Sequence, residues 1–451
     1  MNIGLLHGWL PNLIQAVTVV VLALAIGRRS PRWLRRWLPA AVGAGIVLAL
    51  ACGWFIADQG LAGGPVPISL WVWLILTGLA LVVAVAGWRD LHWWRRALSI
   101  AVVPLCALCA GLAVNTWTGY LPTVEALWQR STGAALNSQI DQDAALSMRK
   151  AGQRPDHGVV VSVQIPNDAS GFHSRPEMVY LPPAWFSSDA PQLPAVVMVG
   201  GEFGWPADWP TAGGAQRTAD DFAAVHGGNA PILVFVDTSG EFSNDTECVN
   251  GPRGMAADHL TEDVVPYIVS EFSASPDPSR WGIAGWSAGG TCAVMTTVMH
   301  PELFQSFVDM DGQVGPNAGS KGQTIARLFG GDAAAFDAFD PATVVRKHGP
   351  YSGVAGWFAV SEEGPAIYRS GRSGPVPDLK PPTNPENHTA VADYLCALVS
   401  SVGIDCAVVP HGGDHTFPSA AQAFATALPW LAGRLHTPGA PVIALPGAAP
   451  Q

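Results

Sequence analysis

The sequence predicts two folds in series: an all-α transmembrane bundle, followed by an α/β domain built on a mostly parallel, doubly wound sheet. The first third of the chain contains four long apolar runs, each long enough to cross a hydrocarbon core of about 30 Å. In the remainder, short apolar runs typical of buried strands alternate with segments of helical spacing, the pattern of a parallel sheet covered on both faces. The composition agrees, because only 13% of the 451 residues are charged, against about 25% in an average soluble protein.

The four apolar runs occupy residues 10–26, 38–57, 69–88 and 97–118, and they define a transmembrane domain over residues 1–119. A cleavable signal peptide is disfavoured, because no basic region precedes the first run. The runs contain no acidic residue and no Lys, so a role as an anchor is favoured over a transport pathway.

Arginines set the predicted orientation of this bundle. They cluster after the first and third runs, and the positive-inside rule keeps such loops in the cytoplasm. The loop at residues 59–68 has no basic residue and is expected to face outward. Both termini, and with them residues 120–451, are therefore predicted to lie outside the cytoplasm of an integral plasma-membrane protein. The arginines concerned are Arg28, Arg29, Arg32, Arg35, Arg36, Arg89, Arg95 and Arg96.

Charge is divided unevenly along the chain. Residues 1–119 carry eight Arg and two Asp, a net charge of +6, which leaves −17 for the remainder of a chain whose net charge is −11. An acidic body argues against nucleic-acid binding. No Cys-x-x-Cys pair stands beside a histidine cluster, and we predict neither a metal site nor a cofactor.

A serine flanked by glycines is the strongest functional signal in the α/β part. Residues 285–289 read Gly-Trp-Ser-Ala-Gly, after an apolar run at 281–284 and before a helix-compatible segment at 291–299. In this strand–turn–helix setting a serine is held at the tip of a sharp, strained turn that small neighbours permit. We therefore predict Ser287 as a nucleophile; the alternative is an ordinary tight turn.

A serine needs an adjacent base to act as a nucleophile at neutral pH. His415 follows the last predicted strand, residues 405–410, on a glycine-rich loop from which an imidazole can reach back over the sheet. It is the predicted base, with His411 as the alternative. Both lie where doubly wound sheets form their sites, at the carboxyl end of a strand.

The acid that orients the base has two possible positions. Glu363 and Glu362 follow the second strand after the serine, residues 353–360, which is the usual place of the acid in this chain order. Asp309 and Asp311 follow the strand before and are the alternative. We predict a Ser-His-Glu triad, with Glu363 preferred to Glu362.

Two backbone donors are needed to stabilise the oxyanion of a tetrahedral intermediate. The first predicted donor is the amide of Ala288, directly after the serine. The second is the amide of Glu202 or Phe203, in the stretch 200–204 that follows the apolar run 195–199. Glycines in this stretch let the backbone approach a substrate closely.

Four of the seven cysteines lie in the predicted outer domain, and an even number favours two disulfides in an oxidising compartment. We predict one disulfide between Cys396 and Cys406, joining a helix to the following strand. The other is predicted between Cys248 and Cys292, near the serine.

Composition sets the remaining domain boundaries. Residues 120–157 read as a linker and residues 158–435 as the catalytic α/β domain. Residues 436–451, rich in Pro, Gly and Ala, are expected to be a disordered tail.

Residues 162–435 resemble the putative esterase family of α/β-hydrolases, which includes esterase D-type enzymes and the secreted mycolyltransferases of mycobacteria. The matching stretches are the run into residues 200–201, residues 260–268 and 285–290, and the ending Gly-Gly-Asp-His-Thr-Phe at 412–417. The resemblance implies an α/β-hydrolase fold, with Ser287 as nucleophile and His415 as base. It leaves the acid and the substrate open, and the membrane anchor is not part of those secreted enzymes.

These features predict a membrane-anchored, extracytoplasmic serine esterase or acyltransferase acting on ester substrates such as lipids of the cell envelope. The expected partners are an ester or lipid-like substrate and the bilayer, with the oligomeric state left open. The alternative is a non-catalytic, membrane-tethered module that keeps the hydrolase fold for binding or assembly.

Overall fold

The computed structural model describes residues 3–27, 30–61, 66–86, 92–136, 138–187 and 191–448. The chain divides into two compact units, Met1–Gly133 and Ala134–Gln451. The first unit extends beyond the predicted boundary at residue 119, because the backbone of residues 3–5 pairs with that of residues 122–124. The expected linker, residues 120–157, is therefore divided between the two units.

Four long helices dominate the first unit, as the sequence predicts. All four are long and apolar enough to cross a membrane, with mean hydropathy values of 2.0, 2.2, 2.5 and 2.4 in chain order. Apolar side chains cover their outer surface, as a lipid-facing surface requires; Val47 and Leu50 are 66% and 68% exposed. The helices are α1 Trp9–Ile26, α2 Pro31–Gln59, α3 Ile68–Ala86 and α4 Trp93–Thr118, followed by the shorter α5 Val124–Thr132.

Glycines allow α2 and α3 to pack closely. A Cβ atom added to Gly45 would lie 2.2 Å from the carbonyl oxygen of Ile75, and one added to Gly78 would lie 2.6 Å from the Cα atom of Gly45. Such close backbone approach is typical of helix pairs in membranes.

The orientation of the four helices stays a prediction. Arg28, Arg29 and Arg89, on which it partly rests, lie outside the described residues, as do parts of the loop at 59–68 and the end of the run at 69–88.

A ten-stranded, mostly parallel sheet forms the centre of the second unit and confirms the predicted α/β class. The strands are β1 Gln139–Ile140, β2 Val159–Val163, β3 Glu177–Leu181, β4 Ala195–Val199, β5 Ile232–Phe235, β8 Trp281–Trp286, β9 Ser306–Met310, β10 Ala355–Val360, β11 Ile367–Arg369 and β12 Asp405–Pro410, with a separate hairpin of β6 Asn250–Gly251 and β7 Gly254–Met255. Their order in the sheet is β1-β2-β3-β5-β4-β8-β9-β10-β12-β11. The six strands from β5 to β12 are parallel, whereas β3 and β11 run antiparallel to their neighbours.

Helices alternate with these strands along the chain. They are α6 Gln142–Lys150, α7 Asp208–Thr211, α8 Ala215–Val225, α9 Ala256–Asp258, α10 Val265–Phe272, α11 Ala288–Met299, α12 Lys321–Phe329, α13 Ala333–Phe339, α14 Pro341–His348, α15 His388–Ser400 and α16 Phe417–Arg434. A π-helical turn, His259–Val264, precedes α10, and two 3₁₀ turns lie at Pro183–Phe186 and Pro278–Arg280.

The central strands are buried along their whole length. Every residue of β4, β8 and β10 is buried, which explains why these strands read in the sequence as continuous apolar runs. Because the strands from β5 to β12 are parallel, their carboxyl ends meet at one edge of the sheet, and the candidate site lies there.

The C-terminal tail packs onto the second unit over residues 436–448, which corrects the expected disorder of residues 436–451. Thr437 and Leu445 are buried, and a Cβ atom on Gly433 would lie 2.1 Å from the carbonyl oxygen of Pro441. The small residues that suggested disorder instead let this segment lie directly against α16. Residues 449–451 lie outside the described part of the chain.

Candidate active site

Ser287 stands at the junction of β8 and α11, at the carboxyl edge of the sheet. Its backbone has φ 57° and ψ −123°, a strained combination for a residue with a side chain. Its amide donates a hydrogen bond to the carbonyl oxygen of Met310 at 2.9 Å, which ties the turn to the neighbouring strand β9. The turn thereby holds the serine at its tip, as the motif predicts.

The two glycines of the motif are required by close backbone contacts. A Cβ atom on Gly285 would lie 2.1 Å from the carbonyl oxygen of Gly289, and one on Gly289 would lie 2.4 Å from the carbonyl oxygen of Gly200. No side chain fits at either position unless the backbone moves. The glycines therefore allow β8, α11 and the loop after β4 to meet at the serine.

His415 reaches Ser287 from the loop between β12 and α16. Its Nε2 atom lies 3.1 Å from Oγ of Ser287, within hydrogen-bond distance, although the two residues are 128 positions apart. The indole of Trp286 packs beside the imidazole, with ring centroids 5.1 Å apart. The alternative base, His411, does not take this place, because its ring nitrogens are buried and make no hydrogen bond within the described residues.

Asp311, just beyond β9, presents a carboxylate to His415. Its Oδ2 atom lies 3.7 Å from Nδ1 of His415, too far for a hydrogen bond but within ion-pair distance. The Ser361 amide donates to Oδ1 at 2.8 Å, and the Ser361 hydroxyl donates to Oδ2. Burial alone would raise the pKa of Asp311, but the neighbouring imidazole of His415, the positive charges of His415 and His388 in their protonated forms, and the Ser361 hydroxyl hold it below its ordinary value. Asp311 is therefore an ionised carboxylate at neutral pH.

This geometry corrects the prediction that Glu363 or Glu362 is the acid. Both glutamates are exposed, and within the described residues neither makes a hydrogen bond or ion pair with His415. The reason lies in the order of the strands. β9 is the direct neighbour of β8, whereas β10, which precedes the glutamates, lies one strand further from the serine.

Asp309, the other aspartate considered from the sequence, has a structural role. It is buried beneath α11, and its Oδ1 atom accepts a hydrogen bond from the amide of Gly312 at 2.8 Å. A Cβ atom on Gly290 would lie 2.2 Å from this same oxygen. Burial raises the pKa of Asp309 to about 8, so the side chain is mostly neutral at pH 7.

Two of the predicted oxyanion donors, Ala288 and Glu202, line one small cleft. Gly200 and Gly201 line it as well. Phe203, at φ 61°, packs its ring against Phe242 with centroids 5.4 Å apart. Burial, and then the negative charge of Asp245, raises the pKa of Glu202 to about 8, so a neutral carboxyl predominates there at pH 7. The donor role of these amides stays a prediction.

Two disulfides join the pairs of cysteines that we predicted from the sequence. Cys248–Cys292 ties the loop after β5 to α11, close to the serine, and Cys396–Cys406 ties α15 to β12. Both therefore brace elements that carry the candidate site. Cys52, Cys106 and Cys109 of the first unit are free.

His388 belongs to the same cluster, although nothing in the sequence marked it. It begins α15, whose place beside the site depends on the order of the strands rather than on any local pattern. Asp311, His388 and His415 bring ligand atoms within 4.8 Å of one another, a spacing that could hold a metal ion. The two imidazole rings, however, stack at 4.6 Å with only 5° between their planes. Their in-plane lone pairs cannot converge on one ion at about 2 Å.

The second unit is similar to known esterases. Residues 173–353 match the family model described as putative esterase, a segment that includes Ser287 and Asp311 and ends before His415. An uncharacterised protein of Corynebacterium glutamicum is 28% identical over 434 residues, covering 93% of this chain and 94% of that protein, so the alignment includes both units. The chain is also similar to an S-formylglutathione hydrolase from Agrobacterium tumefaciens, at 19% identity and a TM-score of 0.47, over 62% of this chain and 97% of that one. FphF, a fluorophosphonate-binding serine hydrolase of Staphylococcus aureus, matches at 17% identity and a TM-score of 0.45, over 61% of this chain and 99% of that one.

Proposed function

We propose, from the membership of residues 173–353 in the putative esterase family, that this chain is a membrane-anchored serine esterase or acyltransferase with the triad Ser287, His415 and Asp311. As a member of that family the chain is a hydrolase or acyltransferase. The observation that carries the assignment of the site is the 3.1 Å contact between Oγ of Ser287 and Nε2 of His415, at a strained turn.

The geometry supports acyl transfer through a covalent intermediate. As Oγ of Ser287 attacks the carbonyl carbon of an ester, Nε2 of His415 takes the hydroxyl proton. The same proton passes to the departing alcohol as the acyl-enzyme forms. Water or a sugar hydroxyl then gives a proton to His415 and attacks the acyl-enzyme, and Ser287 recovers its proton as the product leaves. Asp311 stabilises the imidazolium that forms in both halves of the reaction.

The oxyanion of each tetrahedral intermediate would be held by the amides of Ala288 and of Glu202 or Phe203. A full negative charge on the side chain of a donor residue would oppose the oxyanion that its amide binds. The raised pKa of Glu202, about 8, supports this role, because its carboxyl is mostly neutral at pH 7.

Two features support a site outside the cytoplasm, on a domain that is tethered to the membrane. Disulfides persist mainly in oxidising compartments, and both disulfides lie in the second unit. Four apolar helices that could span a membrane precede this unit in the chain. An enzyme tethered in this way would meet lipid esters in the plane of the bilayer, and we assign lipids of the cell envelope as its substrate class.

Hydrolysis of a short p-nitrophenyl ester by the purified full-length protein tests the proposal. Ser287→Ala and His415→Ala should each lower kcat/KM by at least about a thousandfold, the scale expected when a triad member is lost. Ser270→Ala is a suitable control, because this exposed hydroxyl only donates to the carbonyl oxygen of Tyr267. A Ser287→Ala protein that keeps the parental rate would refute the assignment.

A further inference from the structure

The imidazole of His415 lies against a second imidazole. The ring of His388 stacks on it with centroids 4.6 Å apart and an angle of 5° between the planes. This parallel contact places the His388 ring against one face of the His415 ring. By comparison, the indole of Trp286 meets the same imidazole at 36°.

This contact is significant because Asp311 alone does not fix His415. The distance of 3.7 Å between Oδ2 and Nδ1 leaves the ring without a hydrogen bond on that side, and Nδ1 of His415 has no hydrogen-bond partner within the described residues. A base must keep Nε2 directed at the serine hydroxyl, since small displacements of a catalytic group are costly in rate. Something other than the carboxylate has to keep this ring in its plane.

His388 is itself held firmly. Its Nδ1–H donates to the carbonyl oxygen of Gly312 at 3.2 Å, directly after Asp311 in the chain. It occupies the first turn of α15, which Asn387 caps by accepting a hydrogen bond from the amide of Ala390 at 2.9 Å. Its Nε2 atom faces Oε2 of Glu386 at 3.9 Å. The ring is therefore held at Nδ1 by the Gly312 carbonyl group, and the residue that carries it lies in a capped helix turn.

Its charge state suits a stacking role. Burial, and then the positive charge of His415, lowers the pKa of His388, and these effects outweigh Asp311, the Gly312 carbonyl group and Glu362, which act in the opposite direction. His388 is therefore neutral at pH 7. A neutral ring can lie against His415 without repelling the imidazolium that forms during the reaction.

We propose that His388 is a positioning residue that holds the imidazole of His415 in the plane where Nε2 faces Ser287 and Nδ1 faces Asp311. The inference rests on the proposed function, because it concerns the base of that reaction. His388 acts through His415 and does not touch the reacting atoms.

Three substitutions of the full-length protein distinguish the effect of the stacked ring on kcat from the effect of the hydrogen bond to Gly312. His388→Phe keeps a flat ring but loses the donor to Gly312, His388→Asn keeps a donor but loses the ring, and His388→Ala loses both. We expect kcat for a short p-nitrophenyl ester to fall by about 10- to 100-fold in the Ala and Asn variants, with KM changed less than about twofold. The Phe variant should recover most of the parental kcat.

A matched control is available at the end of α8, in the residue that directly follows it. His226 also stacks on a ring, that of Phe222 at 4.0 Å, and its Nδ1 atom contacts the carbonyl oxygen of the same residue at 2.7 Å. His226→Ala removes the same two interactions away from the site and should leave kcat unchanged. Near-UV circular dichroism of each variant reports whether the fold is kept.

The alternative outcomes are distinct. Parental kcat in folded His388→Ala would overturn the inference, and so would recovery by Asn but not by Phe, which would assign the effect to the Gly312 hydrogen bond alone. If the Ala variant does not fold, the comparison of Phe with Asn still decides between these outcomes. A parental protein no faster than Ser287→Ala would instead refute the proposed function, and the inference with it.

Discussion

Replacing Asp311 by Asn tests the acid of the triad. The substitution keeps the shape of the side chain and an oxygen that can accept the Ser361 amide, but it removes the negative charge. At the 3.7 Å that separates Oδ2 from Nδ1 of His415, and at an effective dielectric constant of about 20, that charge stabilises an imidazolium by roughly 4 kcal/mol. Since about 1.4 kcal/mol changes a rate tenfold, we expect Asp311→Asn to lower kcat/KM by about a thousandfold.

The assay is the hydrolysis of a short p-nitrophenyl ester, with the apparent Tm of each variant as the test of folding. Glu362→Gln and Glu363→Gln are matched controls, because each removes one negative charge from an exposed position near the same loop. Both should stay within about threefold of the parental kcat/KM, as surface charges have small effects. If Asp311→Asn kept more than a tenth of the activity while either glutamate variant lost a hundredfold, the assignment of the acid would be wrong.

Two further predictions concern stability, and a third concerns activity. Because the pKa of Asp309 is raised to about 8, the folded chain holds a proton that the unfolded chain releases above about pH 4; the apparent Tm should fall as the pH rises from about 4 to 8, and it should fall less in Asp309→Asn. Replacing Cys248 and Cys292 together by Ala opens a loop of sequence separation 44 and should lower the free energy of unfolding by about 4 kcal/mol, so an unchanged denaturation curve under non-reducing conditions would count against the disulfide. Gly289→Ala should abolish ester hydrolysis, because its Cβ atom would meet the Gly200 carbonyl oxygen at 2.4 Å, whereas Gly322→Ala, with no atom within 4 Å, should remain active.

The nucleophile and the base could be predicted from the sequence, because the position of each depends on the residues directly around it. The turn at Ser287 can be predicted from the residues that form it. Gly285 and Gly289 are needed because the turn packs directly against neighbouring backbone. His415 follows the last predicted strand of the chain, and a loop at the carboxyl end of a parallel strand opens onto the site. Both inferences require only that the sheet be parallel.

The acid depends on information that local sequence lacks. Choosing between Asp311 and Glu363 requires knowing that β9 lies directly beside β8 and that Ser361 turns back to hold the aspartate through its amide and hydroxyl. The usual position of the acid in this chain order pointed to the strand end after β10, and the expectation followed it. In the structure Glu363 is exposed at that strand end. The buried Asp311 instead faces the imidazole of His415.

His388 and the C-terminal tail were missed for related reasons. A histidine at the start of a helix is unremarkable in sequence, and only the packing of α15 against β10 and β12 brings it onto His415. Residues 436–448 have the composition of a flexible segment, yet small residues such as Gly433 permit close packing as readily as they permit disorder. Composition alone does not separate these two cases.

The most direct test of the central claim, that Ser287 is a nucleophile activated by His415, is to identify the residue that a fluorophosphonate modifies. Full-length protein and the His415→Ala variant would be treated with the probe, digested and analysed by mass spectrometry. We predict one adduct, on the peptide that contains Ser287, formed rapidly in the parental protein and at least about a hundredfold more slowly in the variant. An adduct on another residue, or labelling of Ser287 at the same rate without His415, would contradict the account.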